Sequence, residues 1–472
     1  MTTLRFHGSA AVLLLPLALF VAVTARLFIS EAAFDLTGLA AAGVLTLFSG
    51  SLLAKSPSEY WKAAVRGASS ELTGTVVLIL IASGIFSAMM KASGVADGLV
   101  FLGGMLHLTG HAFTVFVLLA SSLMAAATGS SIGTLLAAMP IFFPAGVALG
   151  ADPAMLAGAV LSGAIFGDNL APVSDVTVIS SVTQRFRDGT PADIAGVVRT
   201  RLPYAMTALA VSMPVYAFMG ASRPVSEAAL SGDASALLML VPVAVLIAVA
   251  VRTRDVLMAI SAGVVTGTAT GLLIGRLSFA TIFAAVDSRL SGFLISGISN
   301  VSPIILLCVT LFAFTGIVRE AGAPDMMANA LEAGSPGRPS ALRAELFLSA
   351  ATLVVTTLFA AVTSASVALV GSLTDDIGRA SNVHPYRRSH ILSGLANSLP
   401  VLMPFSAFVL ITMAAVSGLE GAAAVTPFTL MTAAFYPIAL FLVFGFMVLT
   451  GTGRMMETPE PEAAEAKTAT AL

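Results

Sequence analysis

Long apolar runs joined by short polar stretches dominate this chain, and about 20 consecutive apolar residues suffice for a helix to cross a bilayer. Ten runs reach that length, at about 10 to 29, 36 to 54, 73 to 90, 154 to 183, 204 to 220, 236 to 251, 255 to 275, 293 to 318, 391 to 415 and 427 to 449. Composition agrees: 57% of the 472 residues are hydrophobic and 10% charged, against roughly a quarter charged in an ordinary soluble domain. The sequence therefore predicts an all-α polytopic membrane protein whose first partner is the lipid bilayer. A net charge of −2 gives nucleic-acid binding no footing. The single cysteine, Cys308, rules out an intramolecular disulfide and a cysteine metal cage. The first run, with Val23 and Ala25 at plausible cleavage positions, has the outline of a secretory signal. Nothing after it resembles an exported domain, so it is read as a span. The acidic stretch 455–472 reads as a disordered tail.

Within SGAIFGDNLAPVSDVTVISS, residues 162–181, two carboxylates interrupt an apolar run. A charge near the bilayer centre costs at least a few kcal/mol and persists where it faces a watery cavity or binds an ion or proton. Asp168 and Asp175 are therefore the leading candidates for moving something charged. Pro172 has no N–H and disfavours helical geometry at Ala171. The expected picture is a half-helix ending near Asp168, an unwound stretch through Val173, and a second half-helix capped by Ser174 or Asp175. Carbonyls freed at such an end carry partial negative charge, so Asp168 with Asn169, Ser174 and Thr177 forms a candidate cation or proton site. Asp175 also reads as a simple cap.

Two further apolar stretches, 111–149 and 341–374, are broken by TGSSIGT (Thr128 to Thr134) and by TSAS (Thr363 to Ser366). Each reads as a re-entrant hairpin or a pair of short spans, and symmetry favours the hairpin. FSAMMKASGVAD from Phe86 recurs as FTGIVREAGAPD from Phe314, AAATGSS from Ala125 as AAVTSAS from Ala360, and LSGAIFGDNLAPVSD from Leu161 as LSGLANSLPVLMPFS from Leu392. Three echoes in one order predict a duplicated transporter, with broken helices in matching positions. With the N-terminus inside, the inner joints hold Arg5, Lys55, Lys62, Arg66, Arg185, Arg187, Arg199, Arg201, Arg252, Arg254, Arg319, Arg338, Arg343, Arg379, Arg387, Arg388, Arg454 and Lys467. Arg26, Lys91, Arg223, Arg276 and Arg289 stay outside, the bias the positive-inside rule demands. Lys91 outside and its echo Arg319 inside imply inverted repeats.

The expected organisation is about ten transmembrane helices plus two hairpins. Repeat one covers 10–183 with its broken helix at 154–183. A cytoplasmic loop and linking span follow at 184–235. Repeat two covers 236–415 with its broken helix at 391–415, and a final span occupies 427–449. Both termini fall in the cytoplasm.

The hairpin tips offer oxygen ligands of the kind hard cations prefer: Thr128, Ser130, Ser131 and Thr134 in repeat one, Thr363, Ser364 and Ser366 in repeat two. The second broken segment carries Asn397, Ser398 and Ser406 but no carboxylate, so repeat two is expected to supply neutral or substrate-side ligands. Gly129 to Gly133 matches G-x-S-x-G, a nucleophile pattern that requires a strand-to-helix turn with a histidine and an acid. Inside a membrane run it carries no enzymatic meaning, and no nucleophile and base pair suggests an enzyme. His384 and His390, beside Arg387 and Arg388, read as solvated loop histidines, with pH sensing as the alternative.

FGDNLAPVSDVTVISS, with ATGSSIGT and Pro140 upstream and RTRLPYA (Arg199 to Ala205) downstream, resembles the NhaC-type Na+/H+ antiporter family of the ion-transporter superfamily. The family pattern is close to FGD-x-x-S-P-x-S-D-T-T after A-T-G-T-S-W-G-T. The resemblance marks Thr128, Gly129, Ser131, Gly133, Thr134, Gly167, Asp168, Pro172, Ser174, Asp175 and Thr177. Ala171, Val176, Ser130 and Ile132 depart from it. It implies a secondary exchanger of Na+ (or Li+) for H+, with the ions as cargo and no cofactor. Relatives that exchange malate and lactate imply the alternative, an ion-coupled carrier of a small organic anion or amino acid contacted by Asn397, Ser398, Ser364 and Thr363. A homodimer stays open.

Overall fold

The structure, a computed structural model, describes residues 4–7, 12, 14–26, 36–221, 232–253, 255–286, 289–322 and 340–457. Helices follow in the order α1 (Leu14–Ala25), α2 (Leu36–Leu53), α3 (Pro57–Ala68), α4 (Glu71–Ser93), α5 (Val95–Met105), α6 (Gly110–Thr128), α7 (Ser131–Ala148), α8 (Pro153–Leu170), α9 (Asp175–Val182) and α10 (Ile194–Met219). They continue as α11 (Val241–Thr253), α12 (Val256–Leu273), α13 (Phe279–Ile282) and α14 (Phe293–Glu320). The last are α15 (Ala341–Leu358), α16 (Thr363–Ala380), α17 (Pro385–Ala396), α18 (Ala407–Val416), α19 (Pro427–Ala433) and α20 (Phe435–Thr450). Among the described residues nine helices are long and apolar enough to cross a membrane, or up to eleven if each of two bent pairs counts as one span. One antiparallel hairpin of three-residue strands, Ala284–Val286 with Arg289–Ser291, interrupts the all-helical pattern.

Each break follows from local chemistry. Pro153 starts α8 where its missing N–H costs nothing, and Asp152 caps it through Met155 N at 3.0 Å. The helix ends at Leu170, two residues before Pro172, and α9 resumes at Asp175 with Ser174 at the cap position. In the second half α17 ends at Ala396, a 3-10 turn fills 399–402 and α18 begins after Ser406, whose hydroxyl accepts from Val409 N at 3.1 Å. The two arms are bent by 53°.

The sequence expected one straight final span at 427–449, but α19 and α20 are bent by 52° at Ala434. Pro437 has no N–H to offer the carbonyl of Ala433. The Tyr216 hydroxyl replaces it, donating to Ala433 O at 2.7 Å and accepting from Phe435 N at 3.0 Å.

Both interrupted stretches fold as helix, tight turn, helix. Arms of 18 or 19 residues measure about 27 Å at 1.5 Å per residue, close to a full crossing. As hairpins or as span pairs they return the chain to the side it entered from, so the side assignment of the joints is the same.

Long-range contacts join loops that the sequence assigns to the same side. Arg66 pairs with Glu320, Leu4 N donates to Glu320 O, and Phe6 bridges Ala54. Glu345 accepts from Arg387 and Arg454, while Asp375 pairs with Arg388 and accepts from Arg185 N. All of these joints fall in the inner set. In the outer set Arg276 pairs with Asp97 and Asp233, Lys91 donates to Gly418 O, and Asp152 N to Gly220 O.

Several expectations are corrected. Arg201, Arg387, Arg388 and His390 are not solvated loop residues: each is fully buried, in α10 or α17. His384 caps α17 half-buried, its Nδ1 accepting from Tyr386 N at 3.2 Å. Besides Asp168, Glu345 and Asp375 are buried acids, each held by arginines. Residues 455–457 are ordered, with Met456 bridging Val383 and Glu457 N donating to Asn382 O. Arg223, Arg254, Arg338, Lys467, Asp325 and the tail from 458 onward lie outside the described residues.

Candidate functional site

The break between α8 and α9 meets the turn between α6 and α7. Gly129 closes that turn at φ 69°, a left-handed conformation costly for other residues. A Cβ there would sit 2.4 Å from Val173 Cγ2 and 3.2 Å from Ser174 N. The turn thus lies directly on the unwound strand, and only a glycine fits. Gly167 does the same on the facing helix α8, where a Cβ would strike Ala125.

Asp168 is 5% exposed. Its Oδ1 accepts from the Ser174 hydroxyl at 2.7 Å across the break, so Ser174 occupies the cap position without capping α9. Ser131 and Asp175 lie within electrostatic reach of the same carboxylate. Among the described residues no lysine or arginine forms an ion pair with it. Asp175, first residue of α9, is exposed along with Pro172. The two acids therefore stand one inside and one at the mouth of the break.

Asn169 points elsewhere. Its amide donates to the Tyr436 hydroxyl at 3.2 Å and its carbonyl oxygen Oδ1 accepts from Ser393 at 3.2 Å. The backbone carbonyls expected to be free are mostly occupied: Asn169 O by Arg201 at 2.7 Å, Gly167 O by Ala171 N, and Ala171 O by Ser174 N. Thr177 reaches Asp168 O at 3.4 Å and accepts from Arg201 at 3.3 Å.

The tip hydroxyls also divide. Ser131 is buried toward Asp168, whereas Thr128, Ser130 and Thr134 line a narrow cavity with Leu246, Ala250, Val256 and Ile260. Asp168 does not line that cavity. Ser130 caps α7 through Gly133 N at 3.1 Å, and Thr128 lies 3.5 Å from Thr134.

In the second half Ala407 N donates to Ala360 O at 2.8 Å, so tip and break touch there as well. Ser398 and Ser406 are committed to local carbonyls, those of Leu395 and Val401. Thr363 is buried and Ser364 half-buried, and no partner is found for either hydroxyl among the described residues. Asn397 is fully buried with both side-chain polar atoms unpartnered. A native buried amide in that state calls for a water or a ligand.

Sequence reasoning missed Arg201, whose guanidinium is fully buried. Nη1 donates to Asn169 O, Thr177 and Ser393, and Nη2 to Ser180 and to the hydroxyl and carbonyl of Ser389. The only signal was its place seven residues into the α10 pattern, masked by Arg199 beside it.

Comparison with known proteins points the same way as this arrangement. Residues 3–221, which contain tip one, break one and Arg201, match the Na+/H+ antiporter family. The malate-2H+/Na+-lactate antiporter of Bacillus subtilis is 31% identical over 176 residues, 37% of this chain and 36% of that protein. The Na+/H+ antiporter NhaC of Alkalihalophilus pseudofirmus is 28% identical over 280 residues, 54% of this chain and 58% of the relative. The chain thus spans about a third to under six tenths of the length of these relatives. The solved structure of MtrF from Neisseria gonorrhoeae, described among antimetabolite efflux pumps, covers 82% of this chain and 84% of its own at 12% identity. Its TM-score of 0.38 carries no argument.

Proposed function

We propose that the protein is a secondary antiporter that exchanges Na+ (or Li+) for H+ through competition at Asp168. The observation that carries this is a buried carboxylate in a broken membrane helix, held by a serine and free of any ion pair among the described residues. One carboxylate cannot hold a cation and a proton at once, so occupancy by one excludes the other and couples the two fluxes. Ser174 and Ser131 supply hydroxyl oxygens for the bare ion, and Asp175 at the exposed end draws the cation in. Thr177 supports the backbone at Asp168. Asn169 serves the wall behind the site rather than the ion. Two inverted repeats, in which tip one closes on break one and tip two on break two, would exchange access by moving one element against the other. The face rich in arginine and lysine, with both termini, lies in the cytoplasm by the positive-inside rule. An inner or plasma membrane location is the reading that goes with that orientation.

A second reading, an ion-coupled carrier of a small organic anion, draws support from the unpartnered Asn397 amide and from the Thr363 and Ser364 hydroxyls, for which no partner is found among the described residues. It also draws support from the likeness to the malate and lactate exchanger. Proteoliposomes containing the purified protein separate the two. Proton movement driven by Na+ or Li+ alone supports the first, and uptake of labelled malate or lactate that requires the Na+ gradient supports the second.

A further inference from the structure

The short helix α3, set between α2 and α4, has two unlike faces. Pro57 at its first position and the Ser56 hydroxyl, which accepts from Glu59 N at 3.4 Å, start it directly after α2. One face is fixed in the protein. Tyr60, Ala63 and Ala64 are buried, the Tyr60 hydroxyl donates to Leu47 O at 2.9 Å, and a Cβ on Gly67 would lie 2.2 Å from Phe312 O of α14. The other face carries Trp61, Lys62, Val65 and Arg66, all exposed, and with Ser58 they line an open hollow. Ion exchange at Asp168 makes no use of it.

The surroundings of the hollow are apolar on one side and basic on the other. Leu45, Phe48 and Leu52 form one stripe of α2 and are exposed. The Phe48 ring meets Trp61 edge-on at 5.8 Å, so the stripe leads into the hollow. Around α3, Lys62 and Arg66 are joined by Lys55, Arg5 and Arg319, all exposed, against two acids, Glu59 and Glu320. Lys55 N donates to Arg5 O, Leu4 N donates to Glu320 O and Arg66 pairs with Glu320, which gathers these residues at one end of the bundle. The Lys62–Glu59 and Arg66–Glu320 pairs lie at the surface, where such bridges hold weakly, and a phosphate is a strong acceptor for both cations. A soluble acidic partner would match the charge and leave the stripe unused, whereas a zwitterionic lipid would match the stripe and leave the charge unanswered. Tryptophan belongs at the membrane interface, amphipathic basic helices lie in it, and basic clusters beside a span attract anionic headgroups. We propose that α3 and the α2 stripe form a binding site for an anionic phospholipid. Its phosphate takes donors from Lys62 and Arg66 within the field of the neighbouring cations, and an acyl chain lies along Leu45, Phe48 and Leu52 past Trp61.

Trp61 is the single tryptophan of the chain, so its fluorescence reports on this hollow alone. The test places the full-length protein in phosphatidylcholine bilayers and replaces a rising fraction of the lipid with phosphatidylglycerol or, in parallel, phosphatidylcholine, each brominated on its acyl chains so that contact quenches the indole. Half-maximal quenching should need a fraction of brominated phosphatidylglycerol at least threefold below that of brominated phosphatidylcholine. Lys55→Gln combined with Lys62→Gln and Arg66→Gln should reduce that preference below threefold. Arg252→Gln combined with Arg343→Gln, which removes exposed charge at other joints assigned to the same side, should leave it intact. Inorganic phosphate added at constant ionic strength should leave it intact as well, because a free anion has no acyl chain to hold. A wild-type preference under threefold overturns the inference, and this comparison stands even if the triple variant fails to fold. So does a preference that survives in the folded triple variant, one that the Arg252 and Arg343 pair abolishes equally, which would show general charge attraction, or one that inorganic phosphate removes, which would show a site for a free anion. Each outcome is independent of whether Asp168 exchanges ions.

Discussion

The two broken helices differ where it matters for transport. The first, at 153–182, holds a carboxylate at its break, and its tip turns through a glycine with Ser130 capping the next helix. The second, at 385–416, holds an unpartnered amide at its break, and its tip turns through Ala360 and Ala361 at φ 51° and 58° with no side-chain cap on α16. Similar echoes in sequence thus give one site with charge and tight fit, and another that is neutral and has unfilled hydrogen-bonding capacity. On the proposed reading, this contrast puts the cation chemistry in the first half and leaves the second to accept something else or to move.

The largest way to break this contrast is at the tips. Gly129→Ala should destabilise by about 3 kcal/mol, combining left-handed strain with overlap on Val173, read as a lower melting temperature in detergent. If it melts like wild type, the close fit of tip one on break one is wrong. Next come the serines at equivalent positions of the two breaks. Ser174→Ala removes a hydrogen bond to a charged group, worth about 1.5–3 kcal/mol, and should raise the Na+ concentration for half-maximal exchange roughly tenfold or more. Ser406→Ala loses a helix cap and should cost about 1 kcal/mol of stability, with the Na+ dependence unchanged. Equal effects of the two serines on Na+ dependence would erase the functional difference between the halves. The smallest effect belongs to Ala360→Gly, which relieves left-handed strain against added chain entropy and should stabilise by about 0.5 kcal/mol. A clear destabilisation there would mean that the turn is not strained as described.

Much of this was legible in the sequence. Apolar length gave the spans, and Pro172 with the Gly129 turn located the first break within a few residues. What escaped had long-range causes. Arg201, Arg387, Arg388 and His390 look like solvated loop charges because charge in a sequence signals water unless a partner is known. Their partners lie far along the chain, at Asn169, Glu345, Asp375 and Val197. The bend at Ala434 was invisible because Tyr216, which replaces the lost helix bond, lies in another span. That the Asn169 amide turns to Tyr436 and Ser393 was invisible because adjacent residues on a helix end point in different directions, and only the fold says where those two partners stand.

The central claim is that one buried carboxylate is the swap point between metal ion and proton. Everted membrane vesicles energised to an acidic interior, with Na+ added while a pH dye is followed, compare wild type with Asp168→Asn at matched expression and melting temperature. The account predicts prompt Na+-driven alkalinisation in the wild type and none in the variant. Exchange by a folded Asp168→Asn protein at the wild-type rate would contradict it.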